Sequence, residues 1–260
     1  MKKYFEIGKI NLMNNLAYSS EFFLKSLFIL VILFIFVNIW KAAYAGKEII
    51  DGFTIAMIIW YMLMTESIVT SGSTVIREVN ADIQSGGVAY QLNKPYSYIG
   101  YYFAKSVTYK LISLVITFGI GAILVYLLVG GIKVSLLSIP LILVSVILAL
   151  ILDFFMLLCI ALVAFWFEDT TSLRWIYDKI LFTIGGMLVP LEIFPAWLEK
   201  ISAVLPFSFA VYQPAKLFVS FSMARFLEVT VIQIAYILLF AIIATLIYKK
   251  GIGRVTINGG

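Results

Sequence analysis

Residues 22–40 read FFLKSLFILVILFIFVNIW, nineteen positions with a single charge, Lys25. As a helix, a run of this length spans roughly 30 Å of hydrocarbon, enough to cross a bilayer. Its apolar residues are continuous and do not alternate, which excludes the strand pattern of a membrane barrel. Ala43-Tyr44-Ala45 imitates a signal cleavage site. The 21-residue lead-in, however, carries Glu6 and Glu21, and the run is too long for a signal core, so it reads as a retained span.

Working outward, five further apolar runs follow at about 53–75, 100–128, 136–167, 173–191 and 227–248. With 63% hydrophobic residues and only 13% charged ones, the 260-residue chain has no composition left for a large soluble domain. The expectation is an all-α polytopic membrane protein, one domain over 1–260, with six transmembrane helices in 22–248 and a tail at 249–260. The run 173–191 is the weakest, since Asp178 and Lys179 sit near its start and Pro190 ends it.

Six spans put both termini on one side, and the cations say which. Lys2, Lys3, Lys9, Arg77, Lys94, Lys249, Lys250 and Arg254 fall on the side of the N-terminus, with Lys25, Lys105, Lys110, Arg174 and Lys179 near span ends there. Lys41, Lys47, Lys133, Lys200, Lys216 and Arg225 fall opposite. Thirteen against six predicts N-in and C-in by the positive-inside rule. Trp40 and Trp197 then mark the outer interface, Trp166 and Trp175 the inner one. The net charge of +5 reports topology rather than nucleic-acid binding.

The residue types present exclude several chemistries. There is no histidine, and the one cysteine, Cys159, lies in an apolar run, so zinc, haem and iron–sulfur sites lose their usual ligands. No G-x-x-x-x-G-K-[ST] or G-x-G-x-x-G occurs, so the chain lacks the usual ATP cradles. An intramembrane metalloprotease is excluded with them.

Three segments are more than connectors. Residues 1–21 place Phe5, Ile10, Leu12 and Leu16 against Lys2, Lys9 and Asn14, which predicts an amphipathic helix on the membrane surface. The outer segment 190–226 holds Pro190, Pro195, Pro206 and Pro214. Its stretch IFPAWLEKISAVLPF, residues 193–207, predicts a short outer-leaflet helix with Trp197, Leu198 and Ile201 on one face. The third segment, REVNADIQSGGVAYQLNKPYSYI at 77–99, is the most polar. It predicts a helix to Ser85, a break at Gly86-Gly87, and a second short helix stopped by Asn93-Lys94-Pro95. A plain connector needs about 4–6 residues. The extra length, with Val79, Ile83, Val88, Tyr90 and Leu92 expected on its surface, is read on composition either as a docking surface or as a solvated loop.

The pattern DIQSGGVAYQLNKPYS, residues 82–97, resembles the segment after the second span in permeases of type-2 ATP-binding-cassette (ABC) exporters. Asp82, Ser85, Gly86, Tyr90, Leu92, Lys94 and Pro95 carry the likeness. GGMLVPLEIFPAWL, residues 185–198, is similar to that family's outer turn after the fifth span, through Gly185, Gly186, Pro190 and Pro195. The resemblance implies a multi-pass protein of the bacterial cytoplasmic membrane. Residues 77–96 become the coupling helix that separate cytoplasmic ATPase subunits grip, Arg77 and Glu78 among the contacts. ATP and Mg would be held by those subunits and no cofactor by this chain. A second permease, a copy or a paralogue, would complete the pathway.

Polar residues inside the spans are the remaining candidates. Glu66, Thr70, Ser73, Thr74 and Arg77 recur at three- and four-residue spacing, as on one face of a continuous helix. They either line the translocation pathway or bond a neighbouring helix. Asp153, in mid-span, either pairs with a Lys or Arg, binds a cation, or stays protonated. Asn38, Gln233 and Glu228 are weaker pathway candidates. Ser113, Thr117 and Gly121 have the spacing of close helix packing. In FEDTTSLRW, residues 167–175, Asp169 or Thr170 is placed to cap the fifth helix, with Glu168 beside them. A self-contained ion-coupled transporter or channel is the competing function. It would use Glu66 and Asp153, but it calls for neither an elaborate 77–99 segment nor the absence of an internal repeat.

Overall fold

The structure is a computed structural model that describes residues 2–17, 20–167 and 169–254. Glu168, the side chain of Leu16 and tail residues 255–260 lie outside the described residues. The elements run α1 (Lys2–Ala17), α2 (Ser20–Tyr44), β1 (Ile49–Ile50), β2 (Phe53–Thr54), α3 (Ile55–Thr70), α4 (Val75–Gln84), α5 (Gly87–Leu92), α6 (Tyr98–Val129), α7 (Ile139–Leu162) and α8 (Ala164–Phe167). They continue with α9 (Thr171–Thr183), a 3-10 turn at Leu191–Ile193, α10 (Ala196–Val204), α11 (Pro206–Ala210), α12 (Tyr212–Val219) and α13 (Met223–Ile252). Five helical stretches are long and apolar enough to cross a membrane: Leu24–Tyr44, Ile55–Gln84, Tyr98–Val129, Ile139–Phe167 and Met223–Ile252.

The central helix is α3. It is apolar almost all round, and every residue from Ile58 to Ile68 is buried, the pattern of a helix enclosed by others. Helices α2, α6 and α12 pack around it. The outermost helix, α13, lies along α7 and leaves Leu227, Val231, Leu238, Ile242 and Leu246 exposed, a stripe suited to lipid. Where α6 crosses α2 and α3, Ser113, Thr117 and Gly121 are buried as the small-residue spacing predicts. A Cβ on Gly121 would lie 2.4 Å from Leu63 Cδ1, so the bare backbone is what lets these helices meet.

The run 173–191 is not one helix. Helix α9 is 13 residues long, about 20 Å at 1.5 Å per residue, and it stops before Gly185-Gly186. Gly186 has a left-handed φ of 74°, and a Cβ on Gly185 would meet the Leu181 carbonyl at 2.5 Å. The chain nevertheless climbs the whole of α3. At its start, Arg174 Nη1 donates to the carbonyl of Ser73 (3.2 Å). Midway, Thr65 Oγ1 donates to the carbonyl of Met187 (3.0 Å) and the Tyr61 hydroxyl donates to that of Gly186. At the far end, Glu192 pairs with Lys216 (2.8 Å), whose ammonium sits 3.9 Å from the ring centre of Phe53. Irregular backbone at that depth stands only where protein satisfies its carbonyls, which is what Tyr61 and Thr65 do.

The segment after this turn is also more deeply inserted than its prolines predict. Helix α10 falls where a short helix was expected and exposes Trp197 and Ile201. Helices α11 and α12 then bury Phe209, Ala210, Tyr212, Ala215 and Leu217 against α7 and α3. The α2–α3 connector is a small antiparallel hairpin, Ile49 opposite Thr54. Asp51 (φ 47°) and Gly52 (φ 82°) make its turn, as Asp-Gly does in primed turns.

One buried charge pair joins three helices. The ammonium of Lys110 on α6 bonds the carboxylate of Asp153 on α7, to which the Tyr177 hydroxyl on α9 also donates. Lys110 is fully buried, so it is not the interfacial cation that the charge count took it for. Removing one member of a buried pair strands the other charge, a loss of about 3–5 kcal/mol. Lys110→Met is therefore expected to lower the thermal unfolding midpoint in detergent sharply. Adding Asp153→Asn, which keeps an acceptor for Tyr177, should recover most of the loss. A double variant no better than the single one removes the pair from this role.

Candidate functional site

The polar segment folds as its sequence predicts: α4, then Gly86 in the left-handed region (φ 71°), then α5. Three tethers fix it to the bundle. The carboxylate of Asp82 accepts from the hydroxyls of Tyr102 (2.5 Å) and Tyr98 (3.4 Å). Glu78 pairs with Lys105 at 2.9 Å. Asn80 donates to Asp169 Oδ1 (2.7 Å) and accepts from the Thr170 hydroxyl (3.0 Å). The first two tethers hold α6, and the third holds the turn between α8 and α9.

The tethers divide the candidate residues. Glu78 and Asp82 face inward as struts. Arg77, Ser85, Gly86, Tyr90, Leu92 and Pro95 are exposed, and Tyr90, at 64%, is among the most open aromatic residues of the chain. Lys94 donates to the Tyr90 hydroxyl (2.6 Å), which raises its pKa, and its ammonium lies 4.0 Å from that ring's centre. Val79 and Val88, expected on the surface, are instead buried and Ile83 is packed against the core. The exposed face of the segment is therefore smaller and more polar than the sequence suggests, with Tyr90 and Leu92 as its apolar part. Helix α1 flanks it: Lys3 reaches the Pro95 carbonyl, the Tyr4 hydroxyl accepts from Ser97 N–H (2.9 Å), and Asn11 donates to the Lys105 carbonyl (2.8 Å). This helix turns Tyr4, Ile7, Gly8 and Asn11 toward the protein and leaves Phe5, Ile10 and Leu12 outward.

The expected continuous face from Glu66 to Arg77 does not exist, because the helix breaks at Ser71–Thr74, with Gly72 at φ 61°. The break opens a cavity of about 370 Å³ lined by Thr70, Ser73, Thr74 and Arg77, joined by Lys25, Tyr109 and Arg174. Thr70 and Thr74 are thus brought together as anticipated, by a kink rather than by helical periodicity. Glu66 lies outside this lining and is buried, its side chain facing the Thr70 hydroxyl one turn on. Asp153 is held by Lys110 and Tyr177. Asn38 is exposed and bonds the Phe34 carbonyl of its own helix. Gln233 is committed to Ser145 and the Phe209 carbonyl, and Glu228 pairs with Arg225.

Asp169, rather than Thr170, serves the start of α9. It accepts from Thr171 N–H (2.8 Å) and from the Thr171 hydroxyl, which together hold its carboxyl below the usual carboxylate range. Asn80, Tyr98, Tyr102 and Lys105 were not singled out from sequence. The one visible signal for Tyr98 and Tyr102 was the density of tyrosines in PYSYIGYY, residues 95–102, while Lys105 entered only as a cation near a span end.

A hydrogen bond to a charged group contributes about 1.5–3 kcal/mol. Asp82→Ala should therefore speed amide exchange through 75–92 roughly tenfold or more, read by hydrogen-exchange mass spectrometry. Leu92→Ala, on the open face, should leave it unchanged. Equal exchange in both variants would show that Asp82 is no strut.

Residues 16–259 match the family described as ABC-2 family transporter protein. No curated protein sequence matches the chain. The match covers nearly the entire chain and agrees with a bundle of long apolar helices. The chain belongs to the ABC-2 transporter family and is a membrane subunit of an ABC transporter.

Proposed function

We propose that the chain is one half of an ATP-driven exporter in a bacterial cytoplasmic membrane. Two copies, or this chain and a paralogue, form the pathway, and cytoplasmic ATPase subunits that bind ATP and Mg dock on residues 77–96. The observation that carries this reading is the build of that segment. It is tethered at Glu78 and Asp82 to α6 and at Asn80 to the turn before α9, yet offers Arg77, Ser85, Tyr90, Leu92 and Pro95 outward. A surface made only to be solvated has no use for such anchoring. An element that must receive force and pass it on does.

The same geometry supports a six-crossing topology. The stretch from Thr171 to Glu192 runs from the Ser73 end of α3 to its Phe53 end. Counted as a crossing, half helix and half irregular, it makes six, with both termini in the cytoplasm. Gly185, Gly186, Pro190 and Pro195 then form the outer re-entrant turn. Thr70 and Thr74, with Glu66 beneath them, border the inner mouth of the pathway. The ion-coupled alternative loses Asp153, which is already engaged by Lys110, and rests on Glu66 alone.

The test is retention of a soluble partner. With the chain tagged and extracted in mild detergent, an ATPase carrying a phosphate loop should co-purify at near-equal amount. Tyr90→Ser with Leu92→Ser should cut that retention about tenfold, while the permease remains folded in the membrane. Retention unaffected by this pair would place the docking surface elsewhere.

A further inference from the structure

We propose that the cavity at the α3–α4 break binds a phosphate-type oxyanion, either free phosphate or the phosphate of an anionic lipid headgroup. Three cations from three elements meet there: Lys25 from α2, Arg77 from α4 and Arg174 from α9. Hydroxyls of Thr70, Thr74 and Tyr109 complete the lining, and none of its described residues is a carboxylate. At about 370 Å³ it has the size of a small-ligand site, roughly 300–1,000 Å³. That is room for a glycerophosphate headgroup or for hydrated phosphate.

The backbone points the same way. The ten-residue helix α4 starts at this break, and its N-cap, Thr74, makes no side-chain capping bond. The Val75 N–H of that first turn is taken by the Ser73 hydroxyl (3.3 Å), and the positive end of the helix dipole lies at the cavity, a setting that favours anions. The acidic residue of that first turn, Glu78, is occupied by Lys105 and does not quench the site. Asp178 neutralises part of Arg174 from outside the lining. Arg77 makes no hydrogen bond or ion pair among the described residues. Its planar fork suits two oxygens of one phosphate.

Placement argues for a site reached from the membrane boundary. Lys25 lies in the second turn of α2, directly before the exposed apolar positions Leu27, Phe28 and Val31. A phosphate in the cavity would thus sit at the level where a span meets the headgroups. The inference does not depend on ATPase docking, because binding is read on the permease alone.

The experiment uses the full chain purified in detergent. Native mass spectrometry reads retained phosphatidylglycerol against phosphatidylcholine, and calorimetry reads inorganic phosphate. A lipid site predicts preferential retention of phosphatidylglycerol, and a free-anion site predicts saturable phosphate binding. In either case Arg77→Gln should weaken binding at least tenfold, Arg77→Lys should restore part of it, and Lys2→Gln, a cation outside the cavity, should change it by less than twofold. Size-exclusion profiles confirm that each variant is folded. Absence of both ligands from the wild type, or binding that Arg77→Gln and Lys2→Gln affect alike, overturns the proposal.

Discussion

A charge carried into hydrocarbon must find its counter-charge there, and the pairing of Lys110 with Asp153 is the constraint on which the rest of this structure depends. It sets α6 against α7 at one height, since neither group can slide away without being stranded. Tyr177 adds its hydroxyl to the same carboxylate, which draws in α9. With α9 placed, Arg174 reaches the Ser73 carbonyl at the point where α3 ends. The break in the second crossing is thus held open from the side. The cavity, the start of α4 and the tether at Asn80 all follow from that arrangement.

The half of the bundle around the α9 turn obeys a related rule with backbone in place of charge. Once α9 stops at its glycines, carbonyls are left without helical partners at a depth where water is absent. Tyr61 and Thr65 supply the donors. Their place on α3, the most enclosed helix, explains polar side chains in a segment otherwise buried as apolar core. Tyr212 and Lys216 then close the turn through Glu192, which pins the inserted helix α12 to the hairpin end.

How much of this was legible follows from what each feature depends on. The long spans, the helix–glycine–helix element at 77–95 and the small-residue contact at Gly121 are set locally, and the sequence shows them. The Asp51-Gly52 hairpin was equally visible in IIDGFT, residues 49–54, and was passed over. The break at Ser71–Thr74 was not visible, because polar residues at three- and four-residue spacing mimic an unbroken face, and one glycine does not outweigh that. Val79 and Val88 are buried because exposure in an amphipathic helix depends on its neighbours, chiefly α7 for the α4 residue Val79 and α4 for the α5 residue Val88. The partner of Asp153 lies 43 positions away, and nothing local distinguishes Lys110 from an interfacial lysine. The ATPase contacts carried from the resemblance separate into struts and open residues only when the tethers are seen.

On the proposed reading, force applied at α5 passes through Asp82 and Glu78 to α6, and through Asn80 to the start of α9. The two routes converge on the Lys110–Asp153–Tyr177 joint. The most direct test is a photo-crosslinking residue in place of Tyr90, with the same residue in place of Trp197 at the opposite end as the reference; both positions are about two-thirds exposed. The account predicts a covalent adduct between position 90 and a soluble ATPase in the native membrane, and none from position 197. An ATPase captured from position 197, with only lipid captured from position 90, would contradict it.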